Sequence, residues 1–546
     1  MARAQGARAQ IAIAYGFVDG LDAINNGTRA VSSWHLTGTG GHVMQTIKAD
    51  IVIIGSGVGG SAVAHQMAGT GAKILILERG DDLPNEPQNS DAEAVFVQSH
   101  YKTRDEWVDA KGAPYRPGQY YYVGGHTKFY GTAMFRFRES DFTETRIDGV
   151  TSPAWPIGYA DLAPHYAAAE RLYGVRGAAG EDPTEPTRDT FPHAAIPHEP
   201  VIAALSDRLR AQGLRPFAMP SAVDYGPGGN CRRCGTCDAF ACRFDAKGDA
   251  DTRVLRPLLA HPDVRLDRKA EVTRLIADDA GQRIVAAEVR RDGTLMRVEA
   301  PLFVLSAGAI NSALILLRSA CAAAPDGIAN RSGVVGRYLM NHHLTGLMGV
   351  KPLAKNDTKF PKTLSVNDFY HGLPDDQDAR GNIQMLGNIQ GAMIRATYPF
   401  TPRALADWLG HHSVDVLAMS EDLPDRDSRV RLLDGDRVQV DYRPGGVAAH
   451  DRFVRHVKRV LRRAGFPVVL RHSFGIQAPS HQCGTVRMGD DPTTSALNAL
   501  CRTHDHPNLY VVDAGFFPSS AALNPALTIA AQSLRVGAHL RDIRTT

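Results

Sequence analysis

The amino-acid sequence predicts an α/β fold joined to a second, α+β part, and three observations support this assignment. Residues 49–80 have the pattern of a strand, a glycine turn, a helix and a second strand. The uncharged run APLFVLSAGAINSALILL, at 300–317, combines a buried strand, a tight turn and a helix start. The segments VRLL and RVQVDY near 430–442 are typical of strands in an antiparallel sheet. Strand–helix alternation predicts a parallel sheet, whereas neighbouring strands predict an antiparallel one.

The length and composition of the chain indicate a globular protein of more than one domain. The chain has 546 residues, and domains usually have about 100 to 200 residues each. Hydrophobic residues make up 43% and charged residues 22%, which is ordinary for globular proteins. The 61 basic and 58 acidic side chains give a net charge of +3. Because no block of lysines and arginines is present, we expect no nucleic-acid partner.

The sequence gives no sign of a membrane span or of secretion. The run at 300–317 contains Pro301 and Gly308, and a transmembrane helix needs about 20 mostly apolar residues. The N-terminal residues lack a clear signal-peptide cleavage site. The cysteines do not have the pattern of a disulfide-rich secreted domain. We therefore expect a soluble, cytoplasmic protein.

The first 43 residues differ in composition from the rest of the chain. Residues 1–43 are rich in Gly, Ala, Ser and Thr and show no clean periodicity. Met44 lies just before the first convincing strand. We expect this leading segment to be disordered or to reflect a misassigned start.

The strand–turn–helix–strand unit at 49–80 has the features of a dinucleotide site. Gly55, Gly57 and Gly60 have G-x-G-x-x-G spacing after the strand IVII, and the second strand ends at Glu78. In this Rossmann-like arrangement Gly55 makes the tight turn, Gly57 lets a pyrophosphate approach the backbone and Gly60 lets helix and strand pack closely. The helix N-terminus offers N–H groups to the phosphates, and Glu78 can accept hydrogen bonds from the ribose. An acid here disfavours NADP, which leaves NAD and FAD.

Three further segments favour FAD. Residues 118–138 are rich in aromatic side chains and contain the pair Gly124-Gly125. The run FVLSAGAINSALILL is another strand–turn–helix with small residues at the turn. Near the C-terminus, NLYVVD is a strand that ends at Asp513.

Together these motifs resemble those of the glucose–methanol–choline (GMC) oxidoreductases, an FAD-dependent family. The glycine motif, the Gly124-Gly125 loop, SAGAINS, SHQCGTVRMG and VVDAGFFPSS…NPALTIAA carry the resemblance. It extends from residue 48 to residue 540. The FAD contacts it implies are Gly55, Gly57, Gly60, Glu78, Gly124, Gly125 and Asp513.

The resemblance also implies how the chain divides into domains. In this family a Rossmann-like FAD-binding domain is assembled from separated segments, here 45–145, 226–345 and 480–546. The substrate-binding domain is inserted between them and is built on an antiparallel sheet, here from 146–225 and 346–479.

The polar stretch APSHQCGTVRMGDDP, at 478–492, supplies the predicted catalytic base. In the family this loop lies over the isoalloxazine, and its first histidine, here His481, acts as base. A second residue from NPALTIAA, here Asn524, accompanies it. A neutral imidazole can take the hydroxyl proton of an alcohol, and Asn524 can hydrogen-bond the developing alkoxide. The pair predicts oxidation of a CH–OH group to an aldehyde or ketone, with hydride transfer to flavin N5.

The predicted substrate is a small-molecule alcohol, and a sugar or polyol is preferred. The preference comes from SEDLPDRDSRVRL, at 420–432, which resembles a segment of sugar- and sterol-oxidising relatives. Two alternatives stay open: a GMC-fold lyase, which keeps FAD without redox turnover, and an electron-transferring dehydrogenase subunit. Absence of a second nucleotide fingerprint disfavours an NAD-dependent dehydrogenase. Oxygen, a quinone and a redox protein all remain possible electron acceptors.

One position bears on how FAD is attached. Some family members bind FAD covalently through a histidine four positions after the glycine pair, where this chain has Phe129. We therefore expect non-covalent FAD.

Four clustered cysteines have a spacing that suits a metal only in part. They are Cys231, Cys234, Cys237 and Cys242. The first three have the rhythm of iron–sulfur ligands, but the fourth spacing differs. Free thiols or local disulfides explain the cluster equally simply. We expect no metal, with these four residues as the candidates if one is bound.

Overall fold

The fold is described from a computed structural model, which covers residues 36–37, 45–478 and 481–545. The expectation for residues 1–43 lies outside the described residues, except for the short strand Leu36–Thr37. Within the described ranges, no helix has both the length and the apolar character that a membrane crossing requires.

The helices surround two larger sheets. The α-helices of the described residues are α1 (Val58–Met67), α2 (Tyr159–Tyr173), α3 (Pro200–Arg210), α4 (Arg256–Leu258), α5 (Ala309–Arg318), α6 (Gly391–Thr397), α7 (Arg403–His411), α8 (Val447–Arg463) and α9 (Ala526–Thr545). Helix α9 packs against both α1 and α2. Gly537 permits close contact with α1, because an added Cβ would lie 2.6 Å from the Cβ of Gln66.

A five-stranded parallel sheet forms the core of the α/β part. Its strands, in spatial order, are Val264–Asp267, Ile74–Leu77, Ile51–Ile54, Leu302–Leu305 and Leu509–Val511. The strands IVII and ILIL are buried along their whole length, as expected for strands covered on both faces. Helices α1 and α5 follow directly after glycine turns at the ends of their strands, as the sequence predicts.

A six-stranded antiparallel sheet forms the core of the α+β part. Its strands, in order, are Phe217–Ala218, Leu364–Val366, Asn382–Met385, Ser413–Ser420, His343–Val350 and Val468–Phe474. Apolar side chains on one face pack against α3 and α8. Polar side chains occupy part of the opposite face, which is therefore suited to binding polar groups.

Several small sheets complete the described part of the chain. One sheet has the strand order Leu36–Thr37, Thr46–Lys48, Thr294–Glu299, Ile284–Arg291 and Glu271–Ala277, and another has Arg429–Leu433, Arg437–Asp441, Trp107–Asp109 and Pro114–Tyr115. A three-stranded sheet consists of His193–Ala194, Val175–Gly177 and Ser221–Ala222. Two further strand pairs are Met340–Asn341 with Gln482–Cys483, and Thr145–Ile147 with Val150–Ser152.

The strands predicted near 430–442 form an antiparallel hairpin, but they do not belong to the six-stranded sheet. Arg437–Asp441 pairs in parallel with Trp107–Asp109 instead. This partner lies about 330 residues earlier in the chain, so the local pattern carries no information about it. The hairpin thus bridges the two predicted domains.

The predicted domain segments are reflected in how the sheets are assembled. Every strand of the parallel sheet comes from 45–145, 226–345 or 480–546. The six-stranded sheet draws mainly on 346–479, although one strand begins at His343. The described residues all belong to one compact unit, and the domain boundaries stay a prediction.

Candidate active site

A cavity of about 570 Å³ lies between the carboxyl ends of the parallel strands and the polar face of the six-stranded sheet. Ligands of open α/β sheets bind in this kind of crevice, and the volume is typical of a ligand site. The predicted site residues that line it are Gly55, Gly57, Glu78, Gly125, Asp513, His481 and Asn524. The structure therefore gathers residues from five distant parts of the sequence into one cavity.

The three glycines of the motif have different spatial roles. Gly55 has φ +100°, and a Cβ there would lie 2.2 Å from the Ser306 carbonyl oxygen. A Cβ on Gly60 would lie 2.2 Å from the Gly55 carbonyl oxygen. By contrast, a Cβ on Gly57 meets no described protein atom within 4 Å. Packing of the protein requires the first and third glycines, whereas the space over Gly57 is open to a ligand.

Ser56 connects the glycine turn to Glu78 and to the glycine pair. Its N–H and its hydroxyl donate to Glu78 Oε2, at 3.1 and 2.5 Å. Its Oγ accepts from the N–H of Gly124 at 3.1 Å, and Gly80 N–H donates to Glu78 Oε1 at 2.8 Å. Burial raises the pKa of Glu78 against the opposing effect of these hydrogen bonds. The carboxyl group is thus fixed at the cavity wall.

The glycine pair is held against the motif. Gly124 has φ +90°, and a Cβ on Gly125 would lie 3.2 Å from the Gly57 Cα. Lys128, in the turn that follows, is buried between Asp249 at 3.3 Å and Asp251 at 2.8 Å. These ion pairs fix the turn against the chain near residue 250.

Asp513 lies at the end of the last parallel strand. Its Oδ1 accepts from the N–H of Gly515 at 2.8 Å. Its Oδ2 accepts from the N–H of Gly308 at 3.1 Å and from the Ser312 hydroxyl. Burial raises the pKa of Asp513 to about 6. The SAGAINS turn and the C-terminal strand therefore meet at one carboxyl group on the cavity wall.

His481 and Asn524 lie side by side on the cavity wall. Asn524 Nδ2 is 3.5 Å from His481 Nε2. The ring of His342 contacts His481 edge to face, with ring centroids 4.9 Å apart. His481 Nδ1 is buried and has no hydrogen-bond partner among residues 45–478 and 481–545. The structure thus brings the predicted base and its predicted partner together.

The electrostatic environment keeps the His481 ring neutral. Burial lowers the pKa of His481 to about 4, and the Lys362 ammonium group adds to this lowering. Lys362 is ion-paired with Asp238, with Nζ 2.9 Å from Oδ2. Burial by itself would raise the pKa of Asp238, but Lys362, the Gly387 N–H and Lys247 together outweigh burial, and the pKa is lowered. The cavity therefore holds a neutral imidazole near a buried ion pair.

Three residues of the site are not identifiable from the sequence motifs. Ser56 lies inside the glycine motif but is not one of its glycines. Lys362 has no motif around it. Gln384 donates to Asn524 Oδ1 at 2.9 Å, and the alternation of polar and apolar residues in Asn382–Met385 is a signal that could have indicated it.

Phe129 packs at the cavity wall among other aromatic rings. Its ring stacks on Tyr120, with centroids 4.1 Å apart and an angle of 17° between the planes. His126 also lines the cavity, and burial lowers its pKa to about 4. At the position four after the glycine pair, the cavity therefore meets a phenyl ring, which cannot bond covalently to a flavin.

The segment that carries the four clustered cysteines reaches the cavity wall. All four are free thiols, and Cys234 is exposed. Cys237 lines the cavity, and burial raises its pKa to about 12. Within the described part of the chain, no three His, Cys, Asp or Glu side chains lie close enough to hold a metal ion.

Comparisons with known proteins agree with this architecture. Two family models, both described as GMC oxidoreductase, match residues 201–344 and 424–533, and a model of an NAD(P)-binding Rossmann-like domain matches 53–84. Paromamine 6'-oxidase of Streptomyces fradiae is 33% identical over 519 residues, which cover 89% of this chain and 90% of the relative. The 6'''-hydroxyparomomycin C oxidase of Streptomyces lividus is also 33% identical, with the same coverage of both chains. The chain belongs to the GMC oxidoreductase family.

A solved structure shows the same fold for this GMC oxidoreductase. The crystal structure of pyridoxine 4-oxidase from Mesorbium loti matches with a TM-score of 0.62 at 19% identity. The match covers 90% of this chain and 99% of that one. The predicted combination of a Rossmann-like domain with an antiparallel sheet is therefore confirmed. The prediction that the protein is an enzyme acting on alcohols is also confirmed.

The GMC oxidoreductases are a flavin-dependent family, and the cavity fits the dinucleotide part of FAD. Helix α1 begins after Gly57. Ser306 Oγ accepts from the N–H of Gly60 at 2.8 Å, whereas no side chain of the described residues caps the N–H groups of Val58 and Gly59. The first N–H groups of α1 and its dipole therefore remain available to a pyrophosphate. The open space over Gly57 gives that group room, and Glu78 stands at the end of the second strand for the ribose. These residues fit FAD on geometry as well as on spacing.

The contrast between Gly57 and Gly60 gives a matched pair of variants. Gly57→Ala should leave the thermal unfolding temperature of the FAD-depleted protein unchanged but weaken FAD binding roughly 10- to 100-fold, because its methyl group fills only the ligand's space. Gly60→Ala should lower the unfolding temperature, because its methyl group collides with the Gly55 carbonyl oxygen. Differential scanning fluorimetry and titration of FAD-depleted protein measure the two effects. Equal FAD affinity in Gly57→Ala and the unmodified enzyme would contradict this assignment.

Proposed function

We propose that this enzyme oxidises a CH–OH group of a sugar-like alcohol to a carbonyl, with His481 as base and Asn524 as hydrogen-bond donor to the substrate oxygen. The observation that carries this proposal is the 3.5 Å approach of Asn524 Nδ2 to His481 Nε2 on the cavity wall. One substrate oxygen can contact both nitrogen atoms. The glycine motif lines the same cavity, so cofactor and substrate would share it.

Each residue of the site has a distinct task in this proposal. FAD would be held by the motif glycines, Glu78, the Gly124-Gly125 turn and Asp513, and when bound it supplies an acceptor for two electrons and the carbinol hydrogen. With the ring proton on Nδ1, His481 presents a lone pair at Nε2 and takes the hydroxyl proton there. The Asn524 amide donates to the oxygen as negative charge develops on it.

The neutral state of His481 suits this task. A base must be unprotonated before it accepts a proton, and burial together with Lys362 keeps the ring unprotonated at neutral pH. The low pKa weakens the base, so stabilisation of the alkoxide by Asn524 must supply part of the driving force. The two residues therefore act together on one oxygen atom.

A sugar-like substrate is supported by the polar groups of the cavity and by the relatives. The ion pair Lys362–Asp238 and the amide of Asn388 line the cavity. They offer donors and acceptors for the additional hydroxyl or amino groups of a sugar. The two relatives named above, at 33% identity, are named for aminoglycoside substrates. Apolar walls at Leu417 and Phe474 suit the faces of a sugar ring.

We also propose that the enzyme works in the cytoplasm. All seven cysteines are free thiols, and such thiols persist in a reducing compartment.

Non-covalent attachment of FAD is the first prediction from this proposal. The cavity wall at Phe129 offers a phenyl ring where a covalent histidine would stand. Acid precipitation of the holoenzyme should therefore release all of its flavin into the supernatant. Absorbance spectra of pellet and supernatant measure the distribution. Yellow colour that remains with the polypeptide would show that this prediction is wrong.

Loss of His481 should slow flavin reduction while FAD stays bound. His481→Ala should reduce the rate of anaerobic flavin bleaching by paromamine by roughly 10²- to 10⁴-fold, the usual contribution of a positioned acid–base group. Asn524→Ala should slow the same step less, because the base remains. The two losses should not add, since both residues act on one oxygen. Stopped-flow absorbance gives the rates.

Two controls distinguish loss of the base from loss of FAD or of the fold, and a sugar-like substrate from other alcohols. FAD content and unfolding temperature should match the unmodified enzyme in both variants, because the glycine motif is untouched. Benzyl alcohol serves as a comparison substrate, and bleaching by benzyl alcohol but not by paromamine would refute the sugar-like substrate. Normal bleaching in His481→Ala would refute its role as base.

The pH dependence of flavin reduction should follow the His481 ring. The second-order rate constant of bleaching should be independent of pH above about 5 and fall as pH drops through about 4, because protonation of the ring removes the base. Lys362→Met removes a nearby positive charge and leaves Asp238 unpaired, and both changes raise the pKa of His481. The acid limb of the pH–rate profile, where the rate constant of bleaching falls with decreasing pH, should then move to higher pH. Lys362→Arg keeps the charge and should leave the limb in place.

Rapid pH jumps keep the holoenzyme at neutral pH until mixing, so that acid unfolding does not enter the measurement. An acid limb that stays in place in Lys362→Met would contradict the assignment to His481.

A further inference from the structure

Two adjacent strands of the six-stranded sheet carry a row of buried polar side chains. Apolar side chains of Leu364–Val366 and Asn382–Met385 point to the face that packs on α3 and α8. The alternate positions, on the other face, are Ser365, Asn367, Asn382 and Gln384, all of them buried. Because a buried polar group must find a hydrogen-bond partner, this row has to be arranged as a network.

The network is a continuous chain of amide hydrogen bonds that ends in the active site. Asn367 Nδ2 donates to Asp182 Oδ2 at 2.8 Å. Asn382 Nδ2 donates to Asn367 Oδ1 at 2.7 Å. Gln384 Nε2 then donates both to Asn382 Oδ1 at 3.0 Å and to Asn524 Oδ1 at 2.9 Å. Asp182 and His481 thus lie at opposite ends of one chain of side chains.

The direction of every amide in this chain follows from its first member. A carboxylate can only accept hydrogen bonds, and Asp182 is paired with the buried guanidinium of Arg138. The nitrogen of Asn367 must therefore face Asp182, which leaves its oxygen for Asn382. Asn382 must then donate from its nitrogen to Asn367, which leaves its own oxygen to accept from the Gln384 nitrogen. The Gln384 nitrogen consequently faces two acceptors.

This arrangement settles which end of the Asn524 amide faces the cavity. Its oxygen is occupied by Gln384, so its N–H groups lie on the side of His481. The reversed amide would place an oxygen lone pair against the substrate oxygen and would repel a developing alkoxide. Only one of the two orientations of Asn524 can stabilise the reaction.

We propose that Gln384 is a positioning residue, which fixes the Asn524 amide with its N–H groups toward the substrate and is itself oriented by the chain Asp182–Asn367–Asn382. This inference rests on the proposed function of Asn524. Gln384 Oε1 is buried and has no hydrogen-bond partner among the described residues. The orientation of the Gln384 amide is therefore set by the two hydrogen bonds that its Nε2 donates. The antiparallel sheet thereby orients the donor at the active site.

The decisive variant is Gln384→Glu, which keeps the size and replaces the donor by an acceptor. The carboxylate should draw the Asn524 N–H groups toward itself and out of the cavity. We expect the limiting rate of flavin bleaching by paromamine to fall roughly 10- to 100-fold, which is at or below the roughly 10²- to 10³-fold cost of removing a donor to the reacting oxygen. The apparent Kd for paromamine should change less than about threefold, because substrate binding uses the rest of the cavity.

Two further variants complete the set. Gln384→Met removes donor and acceptor without adding charge and should lose roughly three- to tenfold in the limiting rate, since Asn524 then samples both orientations. It also keeps the proposal testable if the buried carboxylate prevents folding. Ser365→Ala is the matched control, because it removes a bond to Asn382 without changing the direction of the chain. Its bleaching rate should be within about twofold of the unmodified enzyme.

A double-mutant cycle and a spectroscopic readout separate positioning from general damage. In an Asn524→Ala background, Gln384→Glu should cost less than about twofold, because the group it orients is gone. With asparagine labelled with ¹⁵N, the Asn524 side-chain amide signals, identified by their loss in Asn524→Ala, should shift in Gln384→Glu and stay in place in Ser365→Ala. This second readout requires no turnover.

The outcomes distinguish this inference from the proposed function. Normal bleaching in both His481→Ala and Asn524→Ala would overturn the function, whatever the variants of Gln384 do. Slow bleaching in those two variants, with normal bleaching in Gln384→Glu and Gln384→Met, would overturn the positioning role alone. Additive losses in the cycle, or unshifted amide signals in Gln384→Glu, would overturn it as well.

Discussion

Direct contact between backbones at the carboxyl edge of the parallel sheet is the constraint on which the rest of the structure depends. A Cβ on Gly55 or on Gly59 would lie 2.2 Å from a carbonyl oxygen of a neighbouring strand end, Ser306 or Val512 respectively. Helix α1 can therefore start between these strand ends only if side chains are absent there. Because it does, its N-terminus opens toward the cavity, where its dipole favours a phosphate. The same packing places Asp513, one residue after Val512, on the wall of that cavity.

The cavity joins two sheets that contribute different chemistry. The parallel sheet offers strand ends and a helix N-terminus, which suit a dinucleotide. The antiparallel sheet offers a flat face whose alternate side chains are polar, which suits the oxygen atoms of a substrate. His481 and Asn524 come from the C-terminal part of the chain, and Gln384 comes from the antiparallel sheet. Its hydrogen bond to Asn524 therefore links the two halves at the point where the proposed reaction takes place.

Buried lysines at and near the cavity are paired with carboxylates, whereas the His481 ring is neutral. Lys128 is paired with Asp249 and Asp251, and Lys362 is paired with Asp238. Both of these lysines thus have a carboxylate partner, which limits the cost of removing them from water. Among residues 45–478 and 481–545, His481 has no carboxylate partner, and burial lowers its pKa. This environment suits a base that is protonated only during the reaction. The negative charge that develops on the substrate oxygen then balances the positive charge on the ring.

The sequence by itself determined the features that depend on local spacing, and the tertiary structure decided those that depend on distant contacts. The glycine motif, the strand ending at Glu78 and the loop of His481 could be read because neighbouring residues define them. The segments near 430–442 predict strands of an antiparallel sheet, but not the pairing of Arg437–Asp441 with Trp107–Asp109, because sheet register is set by distant partners. Gln384 and Asn524 are 140 residues apart. The direction of an amide depends on which donors and acceptors surround it in space, and only the folded chain decides that.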